Sequence, residues 1–282
     1  MKPFDRGLRE PFITQLRSGH CRPLLDALVA QGLDVRLRGN YFNAYDDGQS
    51  IAKVSGSQTL PKLELHRAYL PAGLQGFRGR GNYPWIRCTT EAIDTFVAAL
   101  PDICARARAH GKTEDKVERA FVAANAHGTP LVCLDRQIKQ SGIGHTLDVV
   151  AVMDQPRRFV VIEIKVGGDH RIQRVPRQTL DYVELMDPDG SGLRVDVAAS
   201  YRRVARQLRD LGLHAPDPGW IEPGMPVLGL VLLHRNNPRS KLLGRAHAQA
   251  RTLPRPVYLW QTEDDLRVPE PSRWTRMGER DG

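Results

Sequence analysis

The sequence predicts an α/β protein in which helices cover both faces of a mixed β-sheet. Two apolar runs rich in β-branched residues, LDVVAVM (147–153) and FVVIEIK (159–165), flank a short polar turn containing Pro156, which indicates a β-hairpin. A continuous apolar run, MPVLGLVLLH (225–234), is typical of a buried central strand. Residues 195–213, VDVAASYRRVARQLRDLGL, have the apolar periodicity of an amphipathic helix.

Residues 1–105 are predicted to form an accessory α+β domain that binds a substrate or a partner. A helix is expected within 7–31, and the Asp47-Gly48 pair predicts a tight hairpin between two strands. A second helix, over 91–110, is expected to break at Pro101. Since the 282 residues exceed the usual single-domain length of about 100–150, residues 106–282 are predicted to form a second domain.

The second domain is predicted to contain a helix, three strands, two helices, a strand and a shorter final strand. The first helix is TEDKVERAFVAAN (113–125), and LVCLDRQI (131–138) is the first strand. The strand that ends at residue 165 is followed by the helix RQTLDYVELM (177–186), and PVYLW (256–260) is the final strand. This order fits an α/β sandwich with helices on both faces of the sheet.

Three ionisable residues interrupt the apolar hairpin: Asp148, Glu163 and Lys165. Such groups are costly to bury unless they are paired or bind a metal. Glu163 and Lys165 share one face of their strand because side-chain direction repeats every two residues. If the strands pair around the turn, Asp148 lies beside them. Two carboxylates and an ammonium then converge, which is the arrangement that metal-assisted phosphodiester cleavage requires.

This pattern resembles the PD-(D/E)XK nuclease superfamily, in which an Asp precedes an acidic-x-Lys element on the next strand. Gln178 and Tyr182 match the Gln-x-x-x-Tyr spacing of its RecB-type branch, and Glu118 matches the acidic residue that many members carry on an upstream helix. The resemblance covers about residues 112–187. It implies a restriction-endonuclease-like core and nuclease activity on DNA.

The expected cofactor is Mg²⁺, with Mn²⁺ as a substitute. Asp148 and Glu163 are predicted to bind the ion, the Ile164 carbonyl to add a third oxygen, and Glu118 to bind it directly or through water. Lys165 is expected to orient or help deprotonate the attacking water and to screen the phosphate. These residues, with Asp148, Glu163 and Lys165 as the catalytic set, form the predicted active site.

The helix after the Lys165 strand is predicted to contact the substrate. Gln178 would hydrogen-bond the substrate or a metal-bound water. Tyr182, one helical turn later on the same face, would brace the backbone or stack.

Simpler interpretations compete with each assignment. Asp148 and Lys165 could form a structural ion pair, and the helix that carries Glu118 could present a solvated acidic face. Asp135 is a weak competitor for a site role, while His145 is more often structural at the start of a strand. A protein with this fold that binds nucleic acid without cleaving it, an RNA-directed nuclease and a non-enzymatic interaction subunit therefore stay open as alternatives.

The composition agrees with a nucleic-acid partner. Lys and Arg number 41 against 32 Asp and Glu, giving a net charge of +9, and a basic protein attracts polyanions. The loop GFRGRGNYPWIR (76–87) sets arginines beside Tyr83 and Trp85, which suits backbone contact and base stacking as well as an ordinary surface loop. A homodimer or a partner protein bound through the N-terminal region is a further expectation.

The remaining expectations are negative. The four cysteines have neither Cys-x-x-Cys nor zinc-finger spacing, and none follows Cys133, so neither zinc nor an iron–sulfur cluster is expected. The chain has no run of eighteen apolar residues and no signal-peptide pattern at its start, so a cytoplasmic protein without a membrane span is expected.

Overall fold

Two β-sheets, each flanked by helices, make up the mixed α/β fold of this computed structural model. The structure describes residues 4–57, 59–72, 74–110, 113–125, 130–139 and 143–279. Two compact units are present, here called the N-terminal unit (Phe4–Lys116 with Arg203–His214) and the C-terminal unit (Val117–Arg202 with Ala215–Gly282). The first unit thus extends beyond residue 105 and includes a later segment of the chain.

The helices and strands predicted for residues 106–282 are present in the expected order, with one helix (Lys241–Ala250) and one short strand (Thr275–Arg276) added. The α-helices of the described residues are α1 (Glu10–Arg17), α2 (Arg22–Ala30), α3 (Thr90–His110), α4 (Thr113–Ala124), α5 (Val175–Met186), α6 (Val195–Asp210) and α7 (Lys241–Ala250). The strands are β1 (Asp34–Leu37), β2 (Tyr41–Asp46), β3 (Gln49–Ser55), β4 (Lys62–Glu64), β5 (Trp85–Arg87), β6 (Leu131–Lys139), β7 (Thr146–Met153), β8 (Arg158–Val166), β9 (Val227–His234), β10 (Val257–Thr262) and β11 (Thr275–Arg276). Single 3₁₀ turns lie at Arg67–Tyr69, Ile172–Arg174, Pro218–Trp220 and Pro271–Arg273.

The N-terminal unit contains an antiparallel sheet in the order β1-β2-β3-β4-β5. The predicted hairpin joins β2 and β3, and both Asp47 and Gly48 have positive φ (48° and 81°), as a two-residue type I′ turn requires. A Cβ on Gly48 would lie 2.3 Å from the Asp115 carbonyl oxygen. Glycine is therefore required at this position by its backbone conformation and by the close approach of α4.

Two of the predicted helices of this unit differ in detail. The helix expected within 7–31 is divided into α1 and α2, because Pro23 lies in the first turn of α2, where its missing N–H costs nothing. Helix α3, in contrast, continues through Pro101. Burial of Phe96, Leu100 and Ile103 on both sides of the proline holds this helix together.

The C-terminal unit contains a mixed sheet in the order β11-β10-β9-β8-β7-β6. Strands β8, β9 and β10 are parallel, while the β6–β7, β7–β8 and β10–β11 pairs are antiparallel. Helix α5 contacts β7 to β10 on one face. On the other face, Val117 and Phe121 of α4 pack with Val149, Ile162 and other buried residues of the sheet. The predicted mixed sheet with helices on both faces is therefore present.

Two observations concern the chain as a whole. All four cysteines, Cys21, Cys88, Cys104 and Cys133, are buried and unbridged. None of the helices in the described ranges combines the length and the apolar character needed to cross a bilayer.

Candidate active site

Strands β7 and β8 separate where their charged residues begin. Their ladder ends at the pair Val149 and Ile162, and continuing that register would set Asp148 opposite Glu163. Beyond this point β7 still pairs with β6, and β8 still pairs with β9. The sheet therefore opens into a fork, and the predicted site residues lie at the opening.

The Asp148 carboxylate occupies this fork. Its Oδ2 accepts a hydrogen bond of 2.7 Å from the main-chain N–H of Ile164. A buried N–H needs a hydrogen-bond acceptor. Elsewhere in the ladder a carbonyl of the neighbouring strand is the acceptor, and here the Asp148 side chain takes its place. The bond holds Asp148 beside the segment that carries the other two charged residues.

The Lys165 ammonium lies near both carboxylates. Its Nζ is 3.6 Å from Asp148 Oδ2 and 3.6 Å from Glu163 Oε2, and it donates a hydrogen bond of 2.8 Å to the Ile164 carbonyl. Ile162 and Ile164 belong to the apolar cluster on the α4 side, so alternation directs Glu163 and Lys165 toward the α5 side. The structure thus brings these three residues and the Ile164 carbonyl together.

Glu118 joins the cluster through an intermediate residue. It is buried on α4, and its Oε1 accepts a hydrogen bond of 2.7 Å from Arg136 Nε. Its Oε2 accepts a short hydrogen bond from the side-chain amide of Gln137, whose Nε2 also lies 3.5 Å from Asp148 Oδ1. Glu118 is therefore linked to Asp148 by one amide group.

Gln137 and Arg136 are site residues that the sequence reading did not identify. The pairs Arg136–Val149 and Ile138–Leu147 set Gln137 opposite Asp148 on the adjacent strand. Gln137 has a φ of 50°, a conformation that a non-glycine residue rarely adopts and that concentrates at functional sites. The polar triplet Asp-Arg-Gln inside the otherwise apolar strand LVCLDRQI was the signal available in the sequence.

Asp135, the weaker competitor, has a local role in this strand. The ladder between β6 and β7 shifts register between Cys133 and Asp135. At this irregularity Asp135 Oδ1 accepts a hydrogen bond of 2.8 Å from the N–H of Arg136. Asp135 thereby stabilises the backbone that carries the next two residues.

Burial shifts Glu118 and Glu163 toward their protonated forms. The pKa of Glu163 is raised well above its ordinary value, first by burial and then by the charge of Asp148. Burial also raises the pKa of Glu118 to about 7, with Asp148 adding to the shift and Arg136 opposing it. A cation placed beside these groups would lower their pKa values and favour their charged forms.

The donor set has the chemistry that a hard divalent cation requires. Asp148 and Glu163 offer carboxylate oxygens and Ile164 offers a carbonyl, which are the ligand types that Mg²⁺ prefers. Glu163 Oε1 is buried and has no hydrogen-bond partner among the described residues. Within those residues, no group of three or more His, Cys, Asp or Glu side chains is arranged to hold a metal ion. The fitting set consists of two carboxylates and one main-chain oxygen.

Gln178 and Tyr182 lie on α5 beside the start of β7. Tyr182 is fully buried, and its hydroxyl lies 2.7 Å from the Ile138 carbonyl oxygen and 2.9 Å from that of His145. The Gln178 carbonyl lies 3.0 Å from His145 Nε2, while its side chain is half-buried. Tyr182 therefore braces the protein's own backbone by tying the end of β6 to the start of β7.

Comparisons with protein-family models, with curated proteins and with solved structures found no match to this chain. The functional assignment therefore rests on the geometry of Asp148, Glu163 and Lys165 and on the chemistry of those groups.

Proposed function

We propose that this protein is a metal-dependent nuclease that hydrolyses phosphodiester bonds in DNA. The observation that carries the proposal is the fork between β7 and β8, where Lys165 lies 3.6 Å from both Asp148 and Glu163. Two carboxylates and an ammonium inside an apolar sheet are costly for stability alone. Their retention at one point is explained by a reaction that needs all three.

Asp148, Glu163 and the Ile164 carbonyl would hold the ion, and Glu118 would support it through Gln137. A bound divalent ion would neutralise phosphate charge and lower the pKa of the attacking water. Asp148 is fixed for this role by its hydrogen bond to the Ile164 N–H. The unpartnered Oε1 of Glu163 supplies the second carboxylate oxygen.

Lys165 would act on the water and on the phosphate. Its ammonium is anchored by the Ile164 carbonyl and lies within reach of the same oxygens that would hold the ion. From there the ammonium can orient a water molecule and screen the negative phosphate, while a carboxylate of the site accepts the proton that the water loses. Arg136 fixes Glu118 and, through Gln137, the far side of Asp148.

The substrate would approach from the Asp148 side of the fork. The Asp148 side chain keeps 11% of its surface exposed, compared with 6% for Lys165 and 3% for Glu163. A phosphate would therefore meet Asp148 first. The buried Glu163 and Lys165 would act from behind it, in surroundings that strengthen their electrostatic interactions.

A cleavage assay tests the proposal. End-labelled single-stranded DNA, double-stranded DNA and RNA would each be incubated with the full-length protein in Mg²⁺, Mn²⁺ or EDTA. Lys165→Ala would be compared with Lys241→Ala, which removes an exposed lysine of α7. Cutting that needs the metal and is lost only in Lys165→Ala is the expected result, and the RNA arm distinguishes the alternative substrate.

A nucleic-acid-binding protein that does not cleave by itself is the second candidate. It is favoured by the burial of Lys165 and by the hydrogen bond from Lys165 to the Ile164 carbonyl, which would also suit a structural ion pair. This candidate predicts salt-sensitive binding without cutting in any metal. The same set of reactions therefore decides between the two candidates.

A further inference from the structure

The sheet of the N-terminal unit has one apolar face and one polar face. On the apolar face, Phe42, Val54 and Leu63 are buried, and Phe42 stacks on Phe12 of α1 with ring centroids 6.2 Å apart. Helix α3 contacts β2 and β3. The residues that alternate with this apolar set point to the opposite face, where they are only partly buried.

Strand register aligns the polar residues of that second face in two rows, because directly opposed residues of antiparallel strands share a face. One row runs through Asn43, Lys53, Glu64 and Trp85 and ends at Arg78, which forms an isolated bridge with Trp85. The other row runs through Tyr41, Ser55, Lys62 and Arg87. The polar face of the sheet, as defined by these two rows, carries four cations and one carboxylate.

Cations and aromatic rings alternate on the polar face. Lys53 Nζ lies 5.0 Å from the Tyr41 ring centroid, and Lys62 Nζ lies 5.0 Å from that of Trp85. The Arg87 guanidinium lies 5.7 Å from the same Trp85 ring. Each of these rings is thus accompanied by a positive charge, as in surfaces that bind a base and its phosphate together.

A cleft at the edge of the polar face is bordered by an exposed ring. Its volume is about 380 Å³, and Lys53, Glu64, His66 and Tyr83 contribute to its lining. Tyr83 is 65% exposed, and its ring makes an edge contact with His66 at 5.2 Å between centroids. A tyrosine ring held in this way presents an open face beside a row of cations.

We propose that the polar face binds single-stranded nucleic acid, with a base stacked on Tyr83 and phosphates bound by Lys53, Lys62, Arg78 and Arg87. Charge complementarity identifies the occupant, because four cations surround one carboxylate and that carboxylate is already paired with two lysines. A single strand is specified because its bases are free to stack on a side chain, whereas those of a duplex are already stacked. This inference rests on the proposed function, since it names the form of the polymer that the protein acts on.

Binding would be measured in EDTA by fluorescence anisotropy, using full-length protein with labelled oligo-dT and oligo-U of about 20 nucleotides. Tyr83→Ala would be compared with Tyr83→Phe, which keeps the ring. Arg78→Gln/Arg87→Gln would be compared with Arg106→Gln/Lys116→Gln, which removes two exposed cations elsewhere in the same unit. A duplex and an abasic oligomer of equal charge complete the probes.

We expect Tyr83→Ala to weaken binding of at least one oligomer about tenfold, with Tyr83→Phe close to the unmodified protein. Loss of Arg78 and Arg87 should reduce the dependence of log K on log salt by about 1.4, from two phosphate contacts on a single strand. The control pair should leave that slope unchanged.

Equal binding of the abasic oligomer or of the duplex would overturn the proposal, as would unchanged affinity in Tyr83→Ala. Because these measurements exclude metal, they separate this inference from the proposed function. Cleavage in Mg²⁺ without binding through the polar face would overturn only the inference, and binding without cleavage would overturn only the nuclease.

Discussion

Both sheets carry a lysine close to a glutamate, but the two pairs differ in their surroundings. On the N-terminal sheet Lys53 Nζ lies 2.8 Å from Glu64, and the lysine side chain is 42% exposed. On the C-terminal sheet Lys165 Nζ lies 3.6 Å from Glu163, and both side chains are almost fully buried. Water screens the first pair, whereas the second has lost its hydration. The buried Lys165–Glu163 pair costs more in desolvation and has the longer distance, so it is the better candidate for a catalytic role.

The largest expected difference between the pairs follows from removing each lysine. Lys165→Met should reduce cleavage to background and lower the free energy of unfolding by about 3–5 kcal/mol, because the buried Asp148 carboxylate loses its countercharge. Lys53→Met should cost less than about 1 kcal/mol. Urea denaturation of both variants at pH 7 measures the contrast. Equal losses of unfolding free energy in the two variants would contradict the distinction between a surface pair and a buried site.

The pH dependence of stability should have opposite signs in the two sheets. The pKa of Glu163 is raised by burial and by Asp148. At pH values between the unfolded pKa of about 4.3 and the folded pKa, Glu163 is therefore protonated in the native state but not in the unfolded chain. Stability from this group is fully present below the unfolded pKa and is lost as pH rises through the folded pKa. Glu163→Gln should therefore gain stability relative to the unmodified protein as pH increases above about 4.

Glu64→Gln is the matched variant for that experiment. Although burial acts to raise the pKa of Glu64, hydrogen bonds from Lys53 and Lys62 hold it below its ordinary value. Its contribution is present above the unfolded pKa and is lost as pH falls through the folded one. Glu64→Gln should thus lose stability relative to the unmodified protein at neutral pH. Urea unfolding between pH 4 and pH 8 in EDTA would test both, and parallel curves would contradict the assignment.

A smaller effect is expected at Gln137, which connects Glu118 with Asp148. Gln137→Leu should slow cleavage about tenfold and cost about 1.5–3 kcal/mol, because a buried carboxylate loses a hydrogen bond. Gln49→Leu, which removes an amide bonded to the Asp115 carboxylate in the N-terminal unit, should leave the cleavage rate unchanged. Single-turnover rates in Mg²⁺ make the comparison. An unaltered cleavage rate in Gln137→Leu would show that Glu118 does not support the active site through Gln137.

The smallest effect is expected for Tyr182→Phe. The Tyr182 hydroxyl lies within hydrogen-bonding distance of the Ile138 and His145 carbonyls, so its loss should cost about 0.5–1.5 kcal/mol of stability. Cleavage should be close to that of the unmodified protein. Thermal unfolding and the cleavage assay together measure this, and a complete loss of cutting in a folded variant would mean that Tyr182 contacts the substrate.

Local features of the fold were predictable from the sequence. The Asp47-Gly48 pair predicted its hairpin because few residues tolerate two successive positive φ values. The alternation in 147–153 and 159–165 predicted β7 and β8, and it set Glu163 and Lys165 on one face. Helix α7 was missed because its buried residues are Leu243 and two small alanines, which add little apolar character to a polar segment.

Non-local features were beyond the sequence pattern. The parallel pairing of β9 with β8 joins segments that are distant in the chain, and such a strand order is set by non-local contacts. Gln137 was missed for the same reason, since its place opposite Asp148 depends on the register of β6 after an irregularity. The proximity of Asp148, Glu163 and Lys165 was predicted from the sequence. Gln137, which joins Glu118 to Asp148, was identified only from the structure.

The main-chain N–H of Ile164 donates a hydrogen bond to Asp148, so this amide can report on the state of the site. Elsewhere in β8 an amide exchanges with solvent only when strands part, but this proton is protected by a carboxylate. Its exchange rate in deuterated water will therefore respond to changes at the Asp148 carboxylate, including binding of the proposed cation. The amide signal of Ile164 can thus be used to follow binding of the proposed cation at equilibrium, without substrate.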